Sequence, residues 1–66
     1  MAMGVVCIFH EDKGYGFIET NEGQRFFVHH SAIEMEGFRT LTRGDQVIFD
    51  IVDSKRGQEA AHVRKI

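Results

Sequence analysis

Apolar and polar positions along the chain fall into five short alternating stretches separated by turn-forming clusters. Met3 to Phe9, rich in β-branched and aromatic residues (Val5, Val6, Ile8, Phe9), predicts a first strand. After the polar turn His10-Glu11-Asp12-Lys13-Gly14, Tyr15 to Thr20 predicts a second. Asn21-Glu22-Gly23-Gln24 is a turn signal that leads into a third, Arg25 to His30. Asp45 to Val52 alternates cleanly, with Val47, Phe49 and Ile51 on one face and Gln46, Ile48 and Asp50 on the other. A hairpin tip at Asp53 to Gln58 precedes the last strand, Glu59 to Ile66, which carries Ala61 and Val63 inward. Ser31 to Gly44 has no sustained period. Ser31 with Glu34 three residues on predicts a short capped helical turn there, too brief to pack as a helix.

Five short strands with glycine-bearing turns predict an all-β fold, a small barrel, as one domain over residues 1–66. Closure removes the open edges that invite aggregation. The expected core is Val6, Ile18, Phe26, Val28, Ile33, Val47, Phe49, Ile51 and Val63. Gly14 and Gly16 would weaken an ordinary strand, so they signal a bend, a bulge or a close backbone approach.

The second and third strands carry the unusual feature. Tyr15 and Phe17 share one face of one strand, and Phe27 and His29 share one face of the other, while Ile18 and Val28 claim the opposite faces. Paired, these strands present a plate of rings to water. Exposed rings are costly unless something stacks on them, and unpaired nucleic-acid bases are the natural occupant. Phe38, an aromatic residue in a loop, has little structural reason to be there and joins the candidate surface, as does Phe9 at its rim.

Composition narrows what can bind. With 66 residues the chain buries only about 60% of its unfolded surface, so the core is small. Apolar residues are 42% and charged residues 27%, a globular balance. Cys7 is the lone cysteine, which excludes an internal disulfide and suits a reducing, cytoplasmic setting. No signal peptide or membrane span is expected. The formal net charge is −2, so a nucleic acid bound here is held largely by stacking, with little help from phosphate neutralisation.

Lys13-Gly14-Tyr15-Gly16-Phe17-Ile18, followed by Phe27-Val28-His29 and Ser31-Ala32-Ile33, resembles the two ribonucleoprotein motifs of the bacterial cold-shock protein family. Gly37-Phe38, Leu41, Gly44, Val47, Phe49, Lys55-Arg56-Gly57 and Ala60-Ala61 also match the family pattern, so the resemblance spans nearly the whole chain. It implies an OB-fold, a small five-stranded antiparallel Greek-key barrel, that binds single-stranded RNA and DNA as an RNA chaperone or a modulator of transcription and translation. The RNA-recognition motif also uses a ring pair, but it needs a longer chain and carries its shorter motif first. On the resemblance, Tyr15, Phe17, Phe27, His29 and Phe38 stack bases, and Lys13 and Arg56 contact the backbone. Phe9, Ile8 and His30 would lie at the margins. The family usually has Lys-Trp where this chain has Cys7-Ile8, Asn at His10, Phe at His30 and Pro at Gln58. One cation and two stacking surfaces are thereby lost or reduced, which implies affinity weaker by roughly one to a few orders of magnitude.

No enzymatic constellation is legible. His10, His29 and His30 fit no zinc spacing and Cys7 has no partner cysteine, so no metal or other cofactor is expected. Cys7 has no oriented base, and Glu11 with Asp12 reads as a solvated turn. A monomer acting on nucleic acid and away from membranes is the expected state. The alternative is a dimer, or a protein-interaction module on the same fold.

Overall fold

A computed structural model of the chain describes residues 1–35, 37 and 40–66. Among the described residues five strands occur in the order β1 (Ala2–His10), β2 (Tyr15–Glu19), β3 (Arg25–His29), β4 (Gln46–Ser54) and β5 (Gly57–Lys65), with a 3-10 turn at His30–Ala32. They close into a barrel ordered β1-β2-β3-β5-β4. Pairings β1–β2, β2–β3, β1–β4 and β4–β5 are antiparallel, and a short parallel contact between Phe27 and Glu59 completes the circuit. Among the described residues no helix is long and apolar enough to cross a membrane.

The strand alternation predicts most of the core: Val6, Ile18, Phe26, Val28, Val47, Phe49 and Val63 are all buried, as is the expected Ile33 outside the strands. Burying each such side chain contributes roughly 1.5–3 kcal/mol. Ile51 does not join them. It keeps the parity of Val47 and Phe49 but is 43% exposed, because β4 from Ile51 onward runs past the core as a hairpin arm. Leu41 takes a full place in the interior, although it lies in the segment without a period.

In β5 the expected inward residue Ala61 is replaced by Ala60, which is 3% exposed. The cause is a register shift opposite Ile48–Asp50, where His62 adopts a left-handed φ of 52°. One extra residue on β5 reverses the parity below Val63, so the buried pair is three apart instead of two. The helical turn is capped two residues earlier than expected, by His29 in place of Ser31: His29 Nδ1 accepts the Ser31 N–H.

A second bulge shapes the functional face. Val6 pairs with Ile18, yet Ile8 pairs with Phe17, so Cys7 is the extra residue in β1. Val6 is held from the other side as well, donating to Asp45 O and accepting from Gly44 N–H. Beyond that anchorage the alternation of β1 restarts in the opposite sense.

Candidate functional site

The strand registers arrange the outward side chains in cross-strand rows. His10, Tyr15 and His29 form the first row; Ile8, Phe17 and Phe27 form the second, with Glu59 of β5 beside Phe27. Val5, Glu19 and Arg25 form the third. Directly opposed residues on neighbouring strands share a face, so each row is a continuous band across the sheet.

The rings pack against one another, one pair stacked and one pair T-shaped. Tyr15 and Phe27 centroids are 5.6 Å apart with planes 19° from parallel, and Phe17 meets Phe27 at 5.9 Å and 79°. His10 lies 5.3 Å from Tyr15. The half-buried state of Tyr15, Phe17 and Phe27 means that each ring is braced by neighbours while part of its surface meets water. Gly16 permits this packing, since a Cβ there would collide with the Ile8 carbonyl and approach Phe9 Cα to 2.8 Å. The close approach anticipated at this glycine is therefore present.

Of the residues expected from the sequence, Ile8, Tyr15, Phe17, Phe27 and His29 come together on this face. Ile8 is 44% exposed, an aliphatic contact at the plate margin. His30 is exposed because β3 ends at His29; its ring lies 4.3 Å from His29, and its Nδ1 lies 3.3 Å from Gly14 O. Lys13 is exposed in the turn before β2. Phe9, expected at the rim, packs against the core cluster instead, because the Cys7 bulge turns it to the side of Gly16. Phe38 lies outside the described residues.

Arg56 has a definite position. Its guanidinium lies over the Phe27 ring, 4.7 Å from the centroid, with Nε 3.7 Å from Glu59. The Ser54 hydroxyl lies within donating distance of both the Glu59 carboxylate and Gly57 O, and it accepts from the Arg56 N–H, which fastens this hairpin tip.

His10 escaped the sequence reading, which assigned it to a turn. Only the bulge puts it on the plate, and no local pattern announces that bulge. Arg25 also belongs to this face. Its Nε donates to Glu19 Oε1 at 3.0 Å, and that hydrogen bond, with the neighbouring negative charge, holds the guanidinium pKa above its ordinary value. Among the described residues no group of three or more metal-ligating side chains is gathered.

Comparison with known proteins places this geometry in context. A family model described as the "Cold-shock" DNA-binding domain matches residues 2–66. The chain is 54% identical over 63 residues to a cold shock-like protein of Thermotoga maritima, covering 96% of each chain. It is 46% identical over 66 residues to the major cold shock protein of Streptococcus pyogenes serotype M1, covering 100% of this chain and 98% of that one. Against the cold shock-like protein CspD of Bacillus cereus, identity is 51% over 65 residues, with 98% of each chain covered.

Proposed function

The chain belongs to the cold-shock DNA-binding domain family, and from that premise we propose that it binds single-stranded RNA and DNA by stacking unpaired bases on the plate of β1, β2 and β3. Members of this family are binding proteins and not enzymes. The observation that carries the reading is the row of Ile8, Phe17 and Phe27 set against the row of His10, Tyr15 and His29.

Ring centroids 5.3–5.9 Å apart exceed the 3.4 Å rise per base of a stacked strand. Bases on neighbouring rings are therefore unstacked from one another, each lying on its own platform. This geometry suits flexible single strands and opposes duplex, so binding competes with base pairing and acts as an RNA chaperone without hydrolysing anything. Each ring contributes roughly 1–3 kcal/mol. Phosphates lie toward solvent, within reach of Lys13. Arg56 covers Phe27 in the free protein, and moving it aside costs about 0.5–1 kcal/mol at an exposed site. Phe38 is assigned to the same surface on the family resemblance. The protein acts in this reading as a cytoplasmic monomer.

Titration of a short oligo-pyrimidine strand, with Tyr15→Ala and Phe17→Ala as controls, tests the proposal. Binding by the parent protein that weakens in both variants is expected. Absence of binding up to about millimolar strand, a concentration where only some 4 kcal/mol is needed, would favour a protein-interaction module. In that case the exposed Met3, Val5 and Ile66 become the surface to examine.

A further inference from the structure

The third row of the plate carries no ring. Its centre is the Glu19–Arg25 pair, on the same faces of β2 and β3 as Tyr15, Phe17, Phe27 and His29. The step from Phe17 to Glu19, or from Phe27 to Arg25, is two strand residues, about 6.6 Å. A base lying on the Phe17–Phe27 row therefore places its neighbour over this pair.

Arg25 is exposed but not free to wander: Glu19 accepts from its Nε, and among the described residues its two terminal amino groups make no hydrogen bond. The carboxylate compensates the charge, which makes Arg25 a poor phosphate clamp, while the bond at Nε sets the plane of the guanidinium. What remains is the pair of terminal amino groups, a fork of N–H donors on the face that carries the rings. We propose that Arg25, held by Glu19, is a base-reading residue that selects guanine one position beyond the ring-stacked bases.

The chemistry rests on matching two donors to two adjacent acceptors. Guanine offers O6 and N7 on one open edge, the commonest partner of an arginine fork. Adenine sets an amino donor beside N7, so one arm of the fork would face another donor. Thymine and uracil place the N3–H donor between their two carbonyls, so they offer no two adjacent acceptors. Cytosine does set N3 beside O2 on its pairing edge, but guanine is the commonest partner of an arginine fork, and the cytosine strand is the control that decides between them. Glu19 is a positioning residue in this scheme, acting through the guanidinium.

The inference rests on the stacking function proposed above, and its test separates the two. Seven-nucleotide DNA strands of thymine with one central guanine, adenine or cytosine, and the all-thymine strand, are titrated at one salt concentration. The guanine strand should bind about tenfold more tightly than the other three, at the lower end of what a bidentate contact discriminates. Replacing that guanine by 7-deazaguanine, which lacks the N7 acceptor, should abolish the gain. Arg25→Lys keeps the charge but loses the fork and should bind all strands alike, as should Glu19→Ala with its unpositioned guanidinium. Both sites are surface positions, and an unchanged melting temperature shows that the variants are folded.

Equal affinity of the parent protein for all four strands overturns the assignment while leaving the stacking function intact. So does an equal gain with cytosine, or a preference that survives in Arg25→Lys. A loss in Arg25→Lys that is uniform across strands makes Arg25 a phosphate contact and overturns it too. Failure of every strand to bind removes the stacking function along with the inference.

Discussion

His10 faces Tyr15 across β1 and β2, with ring centroids 5.3 Å apart. Strict alternation from the buried Val6 would turn His10 inward. Cys7, the extra residue of the β1 bulge, reverses that parity and brings His10 and Ile8 onto the plate. The bulge thus replaces part of the surface that a larger ring at position 8 would supply.

His10→Ala should therefore weaken binding of a short pyrimidine strand by about tenfold, within the 1–3 kcal/mol typical of a stacking ring. The same variant should keep its melting temperature within a few degrees, because the ring is only half-buried. Fluorescence titration measures the first effect and thermal unfolding the second. Unchanged affinity would remove His10 from the binding surface.

Affinity should depend weakly on salt. Lys13 and Arg56 are the cations assigned to phosphates, and Glu19 compensates Arg25. Neutralising about two phosphates gives a slope of log K against log salt of roughly −1.4 for a single strand. A slope near −4, the mark of six neutralised phosphates, would require electrostatics and not stacking to dominate.

Stability should pass through a pH window set by one exposed pair. Glu34 bonds His62 at 2.8 Å; the hydrogen bond raises the His62 pKa above 6.5 and lowers that of Glu34 below 4.5. The His62 contribution is complete below about pH 6.5 and fades as pH rises through its raised value. The Glu34 contribution is complete above about pH 4.5 and fades as pH falls through its lowered value. The difference in melting temperature between the parent and Glu34→Gln should therefore peak near pH 5–6 and shrink toward pH 9. Glu34→Gln is preferred to a change at His62, whose positive φ would add backbone strain. A difference that does not vary with pH would show that this pair carries no net charge-dependent stability.

Two aliphatic residues should respond in opposite ways to truncation. Leu41→Ala opens a cavity in the core and should cost about 2–5 kcal/mol, enough to unfold much of so small a domain. Ile51→Ala trims a side chain on the exposed hairpin arm and should cost under about 1 kcal/mol. Midpoints of denaturant unfolding distinguish them. Similar costs at both positions would contradict the burial of one and the exposure of the other.

Local alternation was enough to locate five strands, seven of the ten buried core residues among those described, and the rings of β2 and β3. Side-chain parity is a property of the strand itself, so it survives whatever the strand packs against. Tyr15, Phe17, Phe27 and His29 were legible on that ground, and the ordered pair of motifs made the family legible as well. Parity fails where a residue is inserted into the ladder. The bulges at Cys7 and His62 depend on hydrogen bonds from other segments, such as those of Val6 with Gly44 and Asp45. Only the tertiary structure could therefore decide that His10 belongs to the plate, that Phe9 turns to the core and that Ala60 is buried in place of Ala61. The same holds for Leu41, which sits in a segment without periodicity, and for Arg56, whose place over Phe27 joins residues 29 positions apart. Sequence determined which chemistry the face carries; barrel closure and register decided which side chains share it.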